Sequence, residues 1–234
     1  MGTATPRGPF GRTWTVGLVV IDPVGVLLDA AAAERARWRW WAGRVGADPD
    51  AVLADAAARP SAAVVARHAP DADPAAEVTA LAARQELLLR TVRRTRGAAS
   101  LLRALPRGRA ALWTRADEDE LARLLRRARI AAPGPTLTGL GGPDAAARAA
   151  AFLADLGQVP HRVAALEGGP AGAARSAALG CRTAMIGRAA AGAAEGAATA
   201  GDGGIVRLHD IALVGVRPDA DGVTVSLRRE SRLR

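Results

Sequence analysis

The chain has 234 residues, 50% of them hydrophobic, and a formal net charge of +9. That length suits one large domain or a domain with a smaller companion, and the apolar half can fill a sizeable core. A single cysteine, Cys181, excludes a disulfide framework and a cysteine metal site, and no apolar run has the length and character of a membrane span.

Residues 1–13 are rich in Gly, Pro and Arg and lack the apolar core of a signal peptide, so disorder there and a cytoplasmic chain are expected. The run 15–21 reads as a buried strand that ends at Asp22, and a Gly25-containing turn follows it. Residues 30–96 show helical spacing throughout, over 31–45, 50–57, 61–67 and 75–95, punctuated by Pro60 and the stretch from Pro70 to Pro74. Beyond residue 97 strands at 109–113, 136–140, 163–166 and 183–186 alternate with helices at 97–105, 117–128, 144–156 and 171–179. Such alternation predicts a Rossmann-like parallel sheet covered on both faces. The tail, 212–234, begins with two short apolar runs around Pro218–Gly222 and reads as a β-hairpin followed by basic residues. The expected organisation is a disordered 1–13, an α/β core of 14–29 and 97–211, a helical insert of 30–96 and the hairpin.

All 32 basic residues are arginine, because the sequence has no lysine; with the abundance of Ala and Gly this looks like GC-rich bacterial coding. Arg35, Arg37 and Arg39, then Arg90, Arg93, Arg94 and Arg96, then Arg123, Arg126, Arg127 and Arg129 form three clusters, each read as the solvated face of a helix. No zinc-finger, KH or RNP pattern accompanies them, so nucleic-acid binding is expected to be non-specific. His68, His161 and His209 are too scattered for a metal site. Trp38, Trp40 and Trp41 read first as packing residues of the insert, and second as a wall for a stacked ligand.

Four stretches carry chemistry. Val19-Val20-Ile21-Asp22-Pro23-Val24 ends a strand in a carboxylate. Ala111-Leu112-Trp113-Thr114 ends one in a hydroxyl. Leu140-Gly141-Gly142-Pro143 precedes a helix. Val163-Ala164-Ala165-Leu166-Glu167-Gly168-Gly169 ends a third strand in a carboxylate. Their order resembles the haloacid dehalogenase (HAD) superfamily over about Thr15 to Arg207, in the branch with a helical cap just after the first motif. Phosphoglycolate phosphatase-like, β-phosphoglucomutase-like and sugar-phosphate phosphatase-like proteins belong to that branch. The resemblance implies that Asp22 is the nucleophile and that Thr114 hydrogen-bonds a phosphoryl group. It also implies that Asp22 and Glu167, with the carbonyl of Val24, hold a magnesium ion weakly.

Three positions depart from the family pattern. Val24 stands where an acid/base Asp is usual, Gly142 where a Lys is usual, and Gly168 where a metal-binding Asp is usual. Loss of acid–base help costs about 10²–10⁴-fold in rate, and loss of an electrostatic clamp about 10²–10³-fold. The expectation is therefore a degenerate phosphatase-like protein that binds a small phosphorylated or carboxylated ligand, or a protein partner, through the old site. An active covalent hydrolase that uses Asp22 on a phosphate ester or haloacid-like substrate is the alternative. A non-specific nucleic-acid binder is the third reading.

Overall fold

The computed structural model describes residues 10–29, 31–59, 61–89, 92–187 and 204–228. Its centre is a six-stranded parallel sheet. In spatial order the strands are β6 (Thr136–Leu137), β5 (Ala110–Trp113), β2 (Leu18–Ile21), β7 (Val163–Glu167), β8 (Arg182–Ile186) and β9 (Val206–Leu208). β2 lies in the middle, with Val20 opposite Ala111 of β5 on one side and Ala165 of β7 on the other. All four of its residues are buried, the signature of a strand covered on both faces. Alternate side chains feed two cores. Val19, Ile21, Leu112 and Leu166 enter one, and Leu18, Val20, Trp113 and Ala165 the other. The covering helices α5 (Ala98–Ala104), α6 (Glu118–Ala128), α7 (Ala145–Asp155) and α8 (Pro170–Ala178) alternate with these strands. The Rossmann-like core and the C-terminal hairpin expected from the sequence are both present.

Two expectations at the N-terminal end need correction. Residues 10–13 are not irregular, because β1 (Phe10–Val16) begins at Phe10 and pairs with β11 (Gly222–Arg228). The expected strand 15–21 is in fact two strands in two sheets, divided at Gly17. A Cβ at Gly17 would lie 2.4 Å from Oε1 of Gln158, so a side chain there would have to displace the end of that glutamine. β1, β11 and β10 (Val214–Asp219) form a separate antiparallel sheet. Its hairpin turns at Ala220-Asp221, since Asp219 still pairs with Gly222. β9 has no counterpart among the expected strands; it extends the parallel sheet beside β8.

Between β2 and β5 stands the all-helical cap. It is built from α1 (Ala31–Val45), α2 (Pro49–Ala58), α3 (Ser61–His68) and α4 (Pro74–Leu89). It has its own core of Trp38, Trp41, Val52, Val64, Val65 and Leu81. Trp38 and Trp41 meet edge-to-face at 5.7 Å, and the indole N–H of Trp41 donates to Glu77 at 2.8 Å. Packing, the first reading of these two tryptophans, is what the structure shows. Trp40 is only partly buried, and the guanidinium groups of Arg44 and Arg84 lie over its ring.

Of the expected helix 75–95, the described part is Pro74–Leu89, and residues 90 and 91 lie outside the described residues. Arg93–Arg94 instead form β4, paired antiparallel with β3 (Leu28–Asp29). The cap thus leaves and rejoins the core through one short ribbon. Arg93 and Arg94 lie on a strand, not on the helix face assigned to them. Arg37 is buried, 8% exposed, and bonds Gln85 of α4 and Glu34 of its own helix. Gln85 in turn donates to Glu120 of α6, which ties the cap to the core. Among the described residues no helix is long and apolar enough to cross a membrane.

Candidate active site

Three strands in register deliver the chemistry to one edge of the sheet. Ile21 stands opposite both Leu112 and Leu166, so the residues that follow, Asp22, Trp113 and Glu167, emerge side by side. The backbone N–H of Asp22 donates to the carbonyl of Leu166 at 2.8 Å, which locks β2 to β7 at this level. Asp22 then caps a single wide turn, Pro23–Leu27, and its Oδ1 accepts from the N–H of Val24 at 3.0 Å.

That turn is pressed against the end of β7. Gly25 has φ +98, and a Cβ there would lie 2.7 Å from Cα of Gly168. A Cβ on Gly168 would lie 2.0 Å from the carbonyl oxygen of Val24. Where Gly168 stands in place of an aspartate, the space is filled by backbone. Gly142 differs. It is exposed, and a Cβ there would meet only the side-chain oxygen of Asp144, at 3.0 Å.

Thr114 is buried at the end of β5, one residue past Trp113. Its hydroxyl accepts from the N–H of Ala116 at 3.3 Å, within its own turn. The helix cap is not Thr114 but Asp117, which accepts from the N–H of Glu120 at 2.7 Å. The first turn of α6 carries Glu118, Asp119 and Glu120. Their charges oppose an anion at that helix end. Arg115 is exposed at the surface, and its charge pulls the Asp22 carboxyl down against burial.

Glu167 has no solvent exposure. Its Oε1 accepts from the indole N–H of Trp113 at 3.0 Å and from the hydroxyl of Ser176. Its Oε2 is buried without a hydrogen-bond partner and sits over Gly172, 2.3 Å from where a Cβ would be. Gly172, Arg175 and Ser176 share one face of α8 by helical spacing. The carboxylate is folded into that face. Arg175 completes the enclosure. One guanidinium nitrogen is 3.8 Å from Oε1 of Glu167, another donates to the carbonyl of Leu140 at 3.4 Å, and the group lies 5.6 Å from the Trp113 ring centroid.

The electrostatics follow from this enclosure. Burial, with the charge of Asp22 adding to it, pushes the Glu167 carboxyl up to about 8. Burial also raises Asp22, to about 6, against the pull of the Val24 N–H, Arg115, Arg175 and the Gly168 N–H. Both carboxyls are thus harder to ionise than free ones; Arg175 opposes the rise at both, and Arg115 at Asp22.

The donor set does not fit a magnesium ion. Magnesium requires near-octahedral oxygen ligation at about 2.0–2.1 Å. Glu167 Oε1 is already engaged, the Val24 carbonyl is packed against Gly168, and a buried arginine sits beside the carboxylates. Among the described residues no three His, Cys, Asp or Glu side chains gather at one point. The weak magnesium site expected from Asp22 and Glu167 therefore has no support in the geometry.

Sequence reasoning singled out Asp22, Thr114 and Glu167, and the register of β2 and β7 sets Asp22 and Glu167 at neighbouring strand ends. It missed Arg175, Ser176 and the indole of Trp113. The available signal was a pair of polar residues, Arg175-Ser176, in an otherwise Ala/Gly helix directly after the Glu167 strand. Arg148, the arginine closest in sequence to the missing lysine, is occupied elsewhere. It donates to the carbonyls of Gly139 and Thr138 at 2.9 and 2.8 Å.

This core, with a helical cap between its first two core strands, is the fold of haloacid dehalogenase-like proteins. CbbY from Rhodobacter sphaeroides, solved in complex with phosphate, superposes with a TM-score of 0.63 and 17% identity over 83% of this chain and 93% of that one. A hydrolase from Pseudomonas syringae gives a TM-score of 0.61 and 14% identity, over 83% of this chain and 93% of that one. A HAD family hydrolase from Deinococcus radiodurans R1, with bound phosphate and sodium, gives 0.57 and 22% identity, over 83% and 91% respectively. No family model matches the sequence, and no curated protein does.

Proposed function

We propose that the protein binds a small phosphorylated or carboxylated metabolite in the crevice of Asp22, Thr114, Arg115 and Arg175, and does not turn it over. The observation that carries this reading is the retained Asp22 carboxylate, flanked by two guanidinium charges, in a turn whose acid/base position is Val24. Guanidinium charges beside the site attract an anion. A valine can neither deliver nor accept the proton that departure of an alkoxide requires. The phosphate held by two proteins of the same fold supports the ligand class.

The test is a panel of phosphomonoesters with magnesium, using Asp22→Asn as control. The expected result is no turnover above that control. The second reading, a covalent hydrolase, draws on one observation: Asp22 is still oriented, through the N–H groups of Val24 and Gly168. Magnesium-dependent turnover that disappears in Asp22→Asn would establish that reading and end the first.

A further inference from the structure

Asp22 and Glu167 end neighbouring strands, and one largely buried cation, Arg175, lies beside them. Its guanidinium is held on three sides, by the Trp113 ring at 5.6 Å, the Leu140 carbonyl at 3.4 Å and Glu167 Oε1 at 3.8 Å, and its side chain is 11% exposed. Leu140 belongs to the same loop as Gly142, the position that lacks a lysine. Arg175 thus reaches, from α8, the loop from which a cation is missing. A guanidinium stays charged across the whole accessible pH range, and its planar fork suits phosphate and carboxylate oxygens. Its Nε–H is buried with no partner, so a donor remains unspent.

We infer that Arg175 replaces both the missing lysine and the metal ion as the fixed cation of the crevice, so that the site captures a phosphate or carboxylate anion without a divalent metal. This rests on the ligand-binding reading above and adds its electrostatic agent. Arg175 is here a binding residue. Trp113 and Leu140 position it.

The experiment uses the full chain with inorganic phosphate as probe, followed by calorimetric titration and thermal shift, in EDTA and in millimolar magnesium chloride. Phosphate is expected to bind the wild type equally in both, and magnesium alone to leave the melting temperature unchanged. Arg175→Met is expected to weaken phosphate binding by about tenfold or more in EDTA. Magnesium should not restore that loss, because the engaged Glu167 and the packed Val24 carbonyl offer it no ligand set. A purely structural role for Arg175 would leave phosphate affinity unchanged in every variant that folds. Should Arg175→Met fail to fold, Arg175→Lys serves. It keeps the charge but not the stacked fork, and should bind phosphate more weakly yet still independently of magnesium.

Phosphate binding that requires magnesium in the wild type overturns the inference and leaves the ligand-binding reading standing. Unchanged phosphate affinity in Arg175→Met does the same. Absence of phosphate binding under both conditions removes the two together.

Discussion

Glu167 is wholly enclosed, and the residue after it has no room for a side chain. Both facts can be tested. A carboxyl whose pKa rises on folding binds more protons folded than unfolded across the interval between the two values. For Glu167 that interval runs from 4.5 to about 8, so its contribution to stability is fully present below the interval and is lost as pH rises through it. A tenfold change in proton affinity on folding corresponds to about 1.4 kcal/mol. Glu167→Gln keeps an oxygen for Trp113 and Ser176 and removes the titration. Its urea midpoint should therefore hold nearly level from a pH of about 6, above which Asp22 is ionised, to about 8, where the wild-type midpoint still declines; a flat wild-type profile there would refute the buried neutral acid. At the neighbouring position, Gly168→Asp should cost about 1–3 kcal/mol through the clash with Val24, whereas the exposed Gly142→Lys should be tolerated. The combined Val24→Asp, Gly142→Lys, Gly168→Asp chain is consequently expected to stay inactive; recovered phosphatase turnover would show that the turn can yield. Asp22, Thr114 and Glu167 were legible in the sequence because each follows an apolar strand run. Arg175 was not, because a helix face acquires its meaning only when the helix is laid against a particular strand.

Elements differ in the same way. Helices of ten residues or more, and four-residue buried strands, left a clear period in the sequence. The two-residue strands β3 and β4 left none, since a pair of residues cannot display alternation. The division of β1 from β2 was not visible either, because the two strands run on with a single residue, Gly17, between them and part only by joining different sheets. Also invisible was the polar chain from Arg37 through Gln85 to Glu120, which joins α1, α4 and α6. Burial raises the Glu120 carboxyl above its usual range, with Asp117 adding to the effect and Arg37 opposing it. Replacing Gln85 with Ala leaves two partly buried groups short of a partner, which costs about 1–3 kcal/mol. Amide exchange in α1 and α4 should accelerate in that variant while β2 and β7 remain protected. Equal protection of the cap in both proteins would mean that the network does not hold it to the core.

At the scale of the molecule, the charge of +9 is dispersed and partly consumed internally. Arg37 is buried, Arg175 nearly so, Arg44 pairs with Glu77, and Arg59 and Arg67 pair with Asp55. The one partly exposed tryptophan of the cap cluster, Trp40, already has two guanidinium groups over its ring, which leaves little face for a base. Binding to a DNA or RNA oligomer should thus be weak and vanish near physiological salt. Sub-micromolar affinity there, lost in Trp40→Ala, would make nucleic acid the ligand. The central place of β2 has a further consequence, for the timetable of synthesis. β2 is translated early, but its two partners end at Trp113 and Glu167. A ribosome must therefore extrude the cap and most of the core before the first carboxylate has walls around it. Until then a four-residue apolar strand waits with both edges open, the state in which nascent chains recruit chaperones or mispair. The helical cap, whose contacts are mostly local, can fold during that wait.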